Sequence, residues 1–182
     1  DAGSVKGAIC GGLSDVARFV GSHPLAGSEK QGFEHAHEVA LEGRVCVVTP
    51  TRQTPATVVE AATAFWTTLG MSVVQLSPEE HDAALARTSH FPHLAAYALV
   101  GLLCEGDERF AASGFRDTTR IAASDAALWT AILSLNRDAV RAAIGQYREA
   151  LGRLDEFLAA GDAESLSQQL KEAQSKRLRL DP

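Results

Sequence analysis

Residues 44–76 constrain the chain most, because they read as a strand, a helix and a second strand in succession. "RVCVVTP" (44–50) is a short apolar, β-branched run closed by proline, the pattern of a strand buried on both faces. Thr54 and Pro55 then supply a helix start, with Thr54 expected as the N-cap and Pro55 at the first position. Val58, Ala62, Phe65 and Leu69 recur at helical spacing, and Gly70 follows as the stop. "MSVVQL" (71–76) is the next strand. A unit of this length joins parallel strands through a crossover helix, which makes the first 76 residues α/β.

Ahead of that unit, "RFVGSHP" is expected as a short strand running into a turn. "DAGSVKGAICGGLSDVAR" reads as the end of a strand, a glycine turn and a helix. Residue 1 thus stands where a strand should be finishing, so further residues are expected before it. From Ser77 the pattern changes to helix after helix. "SPEE" gives Ser77 as N-cap, Pro78 at the first position and Glu80 at the capping-box position. Val140, Ile144, Tyr147, Leu151, Leu154 and Leu158 form a near-heptad stripe that suits a bundle core and a dimer seam equally. Gly161 ends that helix, and Asp162 caps a last one carrying Leu166 and Leu170. The fold class expected is therefore α/β over residues 1–76 followed by all-α over 77–182.

Charge and composition remove several function classes. A net charge of −6 with no basic block and only 6% aromatic residues argues against nucleic-acid binding. No apolar run approaches the ~18 residues of a membrane span. The opening "DAGSVKGAIC" lacks the pattern of a signal peptide. Cys10, Cys46 and Cys104 have no paired spacing, which suggests a reducing compartment, the cytoplasm, and small buried hydrophobes rather than a disulfide framework.

The candidate site residues stand at expected strand ends, for His23 and Ser4, and in the helical region for the others. His23 follows strand-like "RFVG" and precedes Pro24. At the carboxyl end of a strand it can face a ligand crevice and accept a proton from a hydroxyl, or it can be a turn histidine bonded to a backbone carbonyl. Ser4 stands just past another expected strand end, as a site residue or an ordinary turn serine. Lys6 reads as a surface helix residue. "TSHFPHL" places His90 and His93 around Pro92, whose ring should kink the helix and expose Ser89, His90 and His93 as a polar pocket floor. Neither this pair nor His35 and His37 has cysteine or carboxylate at metal-ligand spacing, and the latter two read as solvated helix surface. In "GFRDTTRIAASDAALW" the Arg120 guanidinium can hold a carboxylate bidentately, or pair internally with Asp117 or Asp125.

The succession "DAGSVK", "GSHPLAGSEKQGFEHA", "RVCVVTPT", "LSPEEHD", "TSHFPHLAAYAL" and "GFRDTTRIAASDAALW" closely resembles the prephenate dehydrogenases of tyrosine biosynthesis, from residue 1 to about residue 140. The resemblance implies the C-terminal part of a Rossmann-like parallel sheet followed by a helical substrate-binding and dimerisation domain. It implies oxidative decarboxylation of prephenate, or of arogenate, with NAD or NADP as hydride acceptor, in a homodimer. His23 would take the proton of the ring hydroxyl, and Ser4 would hold that hydroxyl near the nicotinamide. Arg120 would pair with a substrate carboxylate, and Ser89, His90 and His93 would line the pocket. Trp129 matches a position able to reach the neighbouring subunit's site. The departure is that none of the 15 glycines forms G-x-G-x-x-G, so the main nucleotide-binding half is missing from this sequence. A non-catalytic helical dimerisation or binding module is the alternative.

Overall fold

The computed structural model describes residues 1–27 and 40–180, which divide into two compact units, Asp1–Val140 and Arg141–Pro182. The first unit is built on a three-stranded sheet of order β1-β2-β3, with β1 at Gly21–Pro24, β2 at Val45–Thr49 and β3 at Ser72–Gln75. β2 and β3 are parallel, Val45 opposite Ser72 and Val48 opposite Gln75, and α2 (Ala56–Thr68) makes the crossover that the spacing predicts. β2 is the core strand: Cys46, Val47, Val48 and Thr49 are all buried. β3 is more open, with Val74 44% exposed, and α2 leaves Phe65 57% exposed.

β1 differs from expectation in place and direction. The paired residues are Gly21–Pro24, with His23 itself in the strand opposite Val47, and the pairing is antiparallel. Gly21 permits this close seating, since a Cβ there would stand 2.9 Å from Cys10 Sγ. Arg18–Val20 stay outside the strand, and the Phe19 carbonyl accepts from the Thr54 hydroxyl at 3.2 Å. Thr54 is thereby turned away from α2 and does not cap it. Pro55 takes the cap position, and its carbonyl accepts from the N–H groups of Val58 and Val59.

Two helices lie beside β1, one near Gly21 and the other near His23. α1 (Gly7–Gly12) receives the Asp82 carboxylate at its N-terminal side, where backbone N–H groups lack helical partners. Asp82 belongs to α3 (Pro78–Leu85), which begins with the expected capping box: Glu80 N–H donates to Ser77 Oγ, and Ser77 N–H donates to the Glu80 carboxylate. The distortion expected near Pro92 takes the form of one π-helical turn, Ala86–His90, in which Phe91 N–H reaches back to the Ala86 carbonyl. Pro92 then sits in the first turn of α4 (Phe91–Val100), where its missing N–H goes unneeded. After α5 (Ser113–Thr119) and a 3₁₀ turn at Arg120–Ala123, α6 (Ala126–Leu135) is capped by Asp125, which accepts from Leu128 N–H at 2.7 Å. Tyr97 Oη donates to the Ser124 carbonyl at 2.6 Å and ties α4 to that turn.

The second unit holds the remainder of α7 (Arg137–Ala160) and α8 (Ala163–Arg177). Gly161 separates them at φ 65°, and Asp162 accepts from Ser165 N–H. Tyr147, Leu151 and Leu158 are exposed along α7. Of the cysteines, Cys10 and Cys46 are buried as expected, whereas Cys104 is exposed in the turn following α4. Among the described residues no helix is long and apolar enough to cross a membrane. The helix surface expected around His35 and His37 lies outside the described residues.

Candidate functional site

A pocket of about 610 Å³ opens within the first unit, and all seven candidate residues line it: Ser4, His23, Ser89, His90, His93, Arg120 and Trp129. Leu85, Leu128 and Ile132 supply apolar wall. The antiparallel placement of β1 carries His23 to this wall, and the π-helical turn brings Ser89 and His90 to it.

Among the described residues His23 is bonded to a second histidine rather than to a turn carbonyl. Its Nδ1 lies 2.8 Å from Nε2 of His81, a residue of α3 with no exposed surface. His81 Nδ1 lies 2.7 Å from Asp82 Oδ1. The Asp82 carboxylate also accepts from the backbone N–H groups of Lys6 and Gly7, each at 2.8 Å. Burial works against its charge, but the hydrogen bonds from His81, Lys6 and Gly7 outweigh it and hold the carboxyl below the usual aspartate value. Proton positions follow in order. A carboxylate only accepts, so His81 carries a proton on Nδ1, and when that is its single proton its Nε2 is an acceptor. His23 must then donate from Nδ1, leaving the lone pair on Nε2 for the pocket. Burial, reinforced by His81, Lys6 and His90 and opposed by Asp82, pushes the His23 pKa down to about 4, so the ring is neutral at pH 7.

Lys6 corrects the expectation of a surface residue. Its side chain has no exposed area, and its ammonium donates to the Ser22 carbonyl at 2.7 Å and pairs with the Asp1 carboxylate. The cause is the anchoring of its backbone N–H on Asp82, which directs the stem beneath Gly21. Burial lowers its pKa to about 8 against the opposing pull of Cys10, Asp82 and Cys46.

His90 is 1% exposed, and its Nδ1 lies 2.9 Å from Asn136 Nδ2, which also donates to the Asp82 carbonyl at 2.8 Å. Its Nε2 is buried and has no hydrogen-bond partner among the described residues. Burial, with His81 and His93 adding and Asp82 opposing, brings its pKa down to about 4. His93 donates from Nδ1 to the Ser89 carbonyl at 3.0 Å and stacks on Trp129 at 3.5 Å between centroids. Trp129 therefore covers a wall of this chain's own pocket. Burial lowers the His93 pKa, and the nearby Arg120 guanidinium lowers it further. Among the described lining residues Arg120 is the one Lys or Arg, and Asp125, the one carboxylate, is engaged in capping α6.

His81, Asp82 and Asn136 were not singled out by the sequence reading. The available signal was their helical position: His81 and Asp82 share a buried face of α3 with Leu85, and Asn136 closes α6. The arrangement offers a neutral acceptor, a planar cation and an aromatic wall, suited to a small anionic ring compound. As for a dinucleotide, the sequence contains no G-x-G-x-x-G to receive its pyrophosphate.

Comparison with known proteins gives one consistent family. The model described as "Prephenate dehydrogenase, nucleotide-binding domain" matches residues 1–75, and "Prephenate dehydrogenase, dimerization domain" matches residues 77–172. The chain is 34% identical to a cyclohexadienyl dehydrogenase of Zymomonas mobilis, over 99% of this chain and 65% of that protein. It is likewise 34% identical to a prephenate dehydrogenase of Bacillus subtilis, over 97% of this chain and 50% of that protein. The crystal structure of prephenate dehydrogenase from A. aeolicus in complex with hydroxyphenyl propionate and NAD+ superposes with a TM-score of 0.91 at 35% identity, covering 100% of this chain and 66% of that one. The chain thus spans between half and two thirds of the length of these relatives.

Proposed function

Because the chain belongs to the prephenate dehydrogenase family, we propose that it carries the substrate side of an enzyme converting prephenate to 4-hydroxyphenylpyruvate and carbon dioxide. The observation that carries this reading is the His23–His81–Asp82 chain, which leaves a neutral acceptor nitrogen facing a pocket that also holds Arg120. A bound NAD or NADP nicotinamide would supply the hydride acceptor. Ser4 and His23 hydrogen-bond the ring 4-hydroxyl, and His23 Nε2 takes its proton as C4 gives up hydride. The resulting carbonyl draws in the electron pair of the C–CO₂ bond, carbon dioxide leaves, and the ring becomes aromatic. His23 then returns its proton to the phenolate oxygen, so no net proton is gained or lost.

While His23 is protonated, its Nδ1–H remains on His81, and the Asp82 carboxylate lies one ring further along to offset the charge. Arg120 pairs with the ring carboxylate of the dianionic substrate, a focused cation on an otherwise acidic chain. His90, His93, Ser89 and Trp129 complete the pocket around the ring and the side-chain acid. Residues 77–172 and the exposed apolar residues of α7 support assembly as a homodimer in the cytoplasm.

The test is nicotinamide reduction by the intact protein, with prephenate and arogenate compared at equal concentration. Prephenate-dependent reduction with stoichiometric 4-hydroxyphenylpyruvate supports the reading. Faster turnover of arogenate would move the substrate to the aminated analogue, and no reduction with either would overturn it.

A further inference from the structure

Asp82 reaches both pocket histidines, by two different groups. Its carboxylate orders His81 and, through it, His23; its backbone carbonyl accepts from Asn136, which meets His90. The second branch sets a proton position just as the first does. A backbone carbonyl only accepts, so the Asn136 atom 2.8 Å from it must be the amide nitrogen, which settles the orientation of the amide. The second hydrogen of that nitrogen points to His90 Nδ1 at 2.9 Å, so Nδ1 is the acceptor. The proton of the neutral ring is then on Nε2, the buried atom without a partner among the described residues. A buried N–H left unsatisfied is destabilising, and a ligand oxygen would relieve that cost.

We propose that Asn136 is a positioning residue that fixes His90 as its Nε2–H tautomer, so that the pocket presents a hydrogen-bond donor at His90 and an acceptor at His23, the donor being intended for a carboxylate or carbonyl oxygen of the ligand. The two rings then have distinct duties. His23 can receive a hydroxyl proton, and His90 cannot; His90 can bind an oxygen anion without itself being charged. Two histidines in the same tautomer would leave one end of a hydroxyl-bearing acid facing the wrong partner. The choice of ligand rests on the function proposed above; the tautomers rest on hydrogen bonds alone.

The experiment is ¹⁵N NMR of the histidine rings in the intact protein at pH 7, followed by binding of 4-hydroxyphenylpyruvate to the wild type and to Asn136→Asp. The expected spectrum has a protonated Nε2 and bare Nδ1 at His90, with the reverse at His23. In Asn136→Asp a carboxylate replaces the donor, the His90 proton moves to Nδ1, and affinity falls roughly 10- to 100-fold, the range for a hydrogen bond to a charged group. The His23 signals stay where they were, which general loosening of the pocket would not allow. The same tautomer on both rings overturns the proposal, and so does Asn136→Asp binding within twofold of the wild type. Should the variant fail to fold, the wild-type spectrum alone decides. Opposite tautomers in a protein that does not bind 4-hydroxyphenylpyruvate would uphold the proposal and overturn the substrate assignment instead.

Discussion

Nδ1 of His23 lies 2.8 Å from Nε2 of His81, and with one proton on His81, held on Nδ1 by Asp82, the proton between the two rings comes from His23. One buried carboxylate thus determines which nitrogen of a pocket histidine is basic, two residues away along the hydrogen-bond chain. The same carboxylate satisfies two backbone N–H groups at the start of α1, so it is fixed by the fold rather than by the ligand. A base held this way is ready in one protonation state and one orientation.

Asp82→Asn tests that relay. The amide keeps the shape and can still accept from Gly7 N–H, but its NH₂ in place of Oδ1 would face both Lys6 N–H and His81 Nδ1, giving up the Lys6 contact and reversing the order of protons along the chain. His23 would then carry its proton on Nε2 and lose its basic face. A fall in kcat on the order of 10³- to 10⁴-fold is expected, similar to the penalty for the wrong tautomer in a serine protease triad. KM for prephenate should change by no more than a few-fold. A variant with kcat near wild type would mean that the relay does not orient His23.

His23→Asn removes the base while leaving a group that can still bond the hydroxyl. If His23 takes the substrate proton, kcat falls by roughly two to four orders of magnitude and KM changes far less. Steady-state rates with prephenate, at saturating nucleotide, check this. An unaffected kcat would return His23 to a structural role.

Arg120→Ala should act on binding instead. Arg120 is the one Lys or Arg among the described residues lining the pocket, and losing a charge-assisted contact to a carboxylate costs roughly 10- to 100-fold in affinity. KM for prephenate should rise by that order while the dissociation constant of the nucleotide, measured without substrate, stays within twofold. A substrate KM unchanged within twofold would remove Arg120 from the site.

Much of this was legible in the sequence, and the limits have physical causes. The strand–helix–strand unit at 44–76 carries its own periodicity and stop signals, so both strands and the crossover emerge from local pattern. Ser4 and His23 come from the sheet region and Ser89, His90, His93, Arg120 and Trp129 from the helices after it, and each stands in a motif whose residue types already suggested a pocket. Direction of pairing is a different matter: "GSHP" reads the same whether its neighbour runs parallel or antiparallel. Lys6 looks like any helix-surface lysine until the fold brings Asp82, 76 residues away, to its backbone. His81 and Asn136 act through partners distant in sequence, so no local spacing marks them.

Acid should weaken the fold before the carboxylates titrate. His23 and His90 have pKa values of about 4 in the folded chain against an ordinary 6.5, and His93 is shifted in the same direction, in each case chiefly through burial. A histidine with a depressed folded value binds its proton more readily when unfolded. Between pH 6.5 and 4 the unfolded chain therefore holds more protons, and stability falls as pH falls. The contribution is fully present above 6.5 and lost by about 4, with a slope of up to about 1.4 kcal/mol per pH unit for each histidine. Asp82 acts lower: its depressed value gives stability that is present above 3.8 and lost as pH falls further. Urea midpoints measured from pH 8 to pH 4 should thus decline below 7, while above 7 the lowered Lys6 pKa of about 8 lets stability rise further with pH. In His90→Gln the decline should be shallower by about one proton, whatever the absolute stability of the variant. Midpoints that hold level from pH 6.5 to 4 would show that these rings charge without cost in the folded protein, and the neutral His23 on which the proton transfer depends would lose its support.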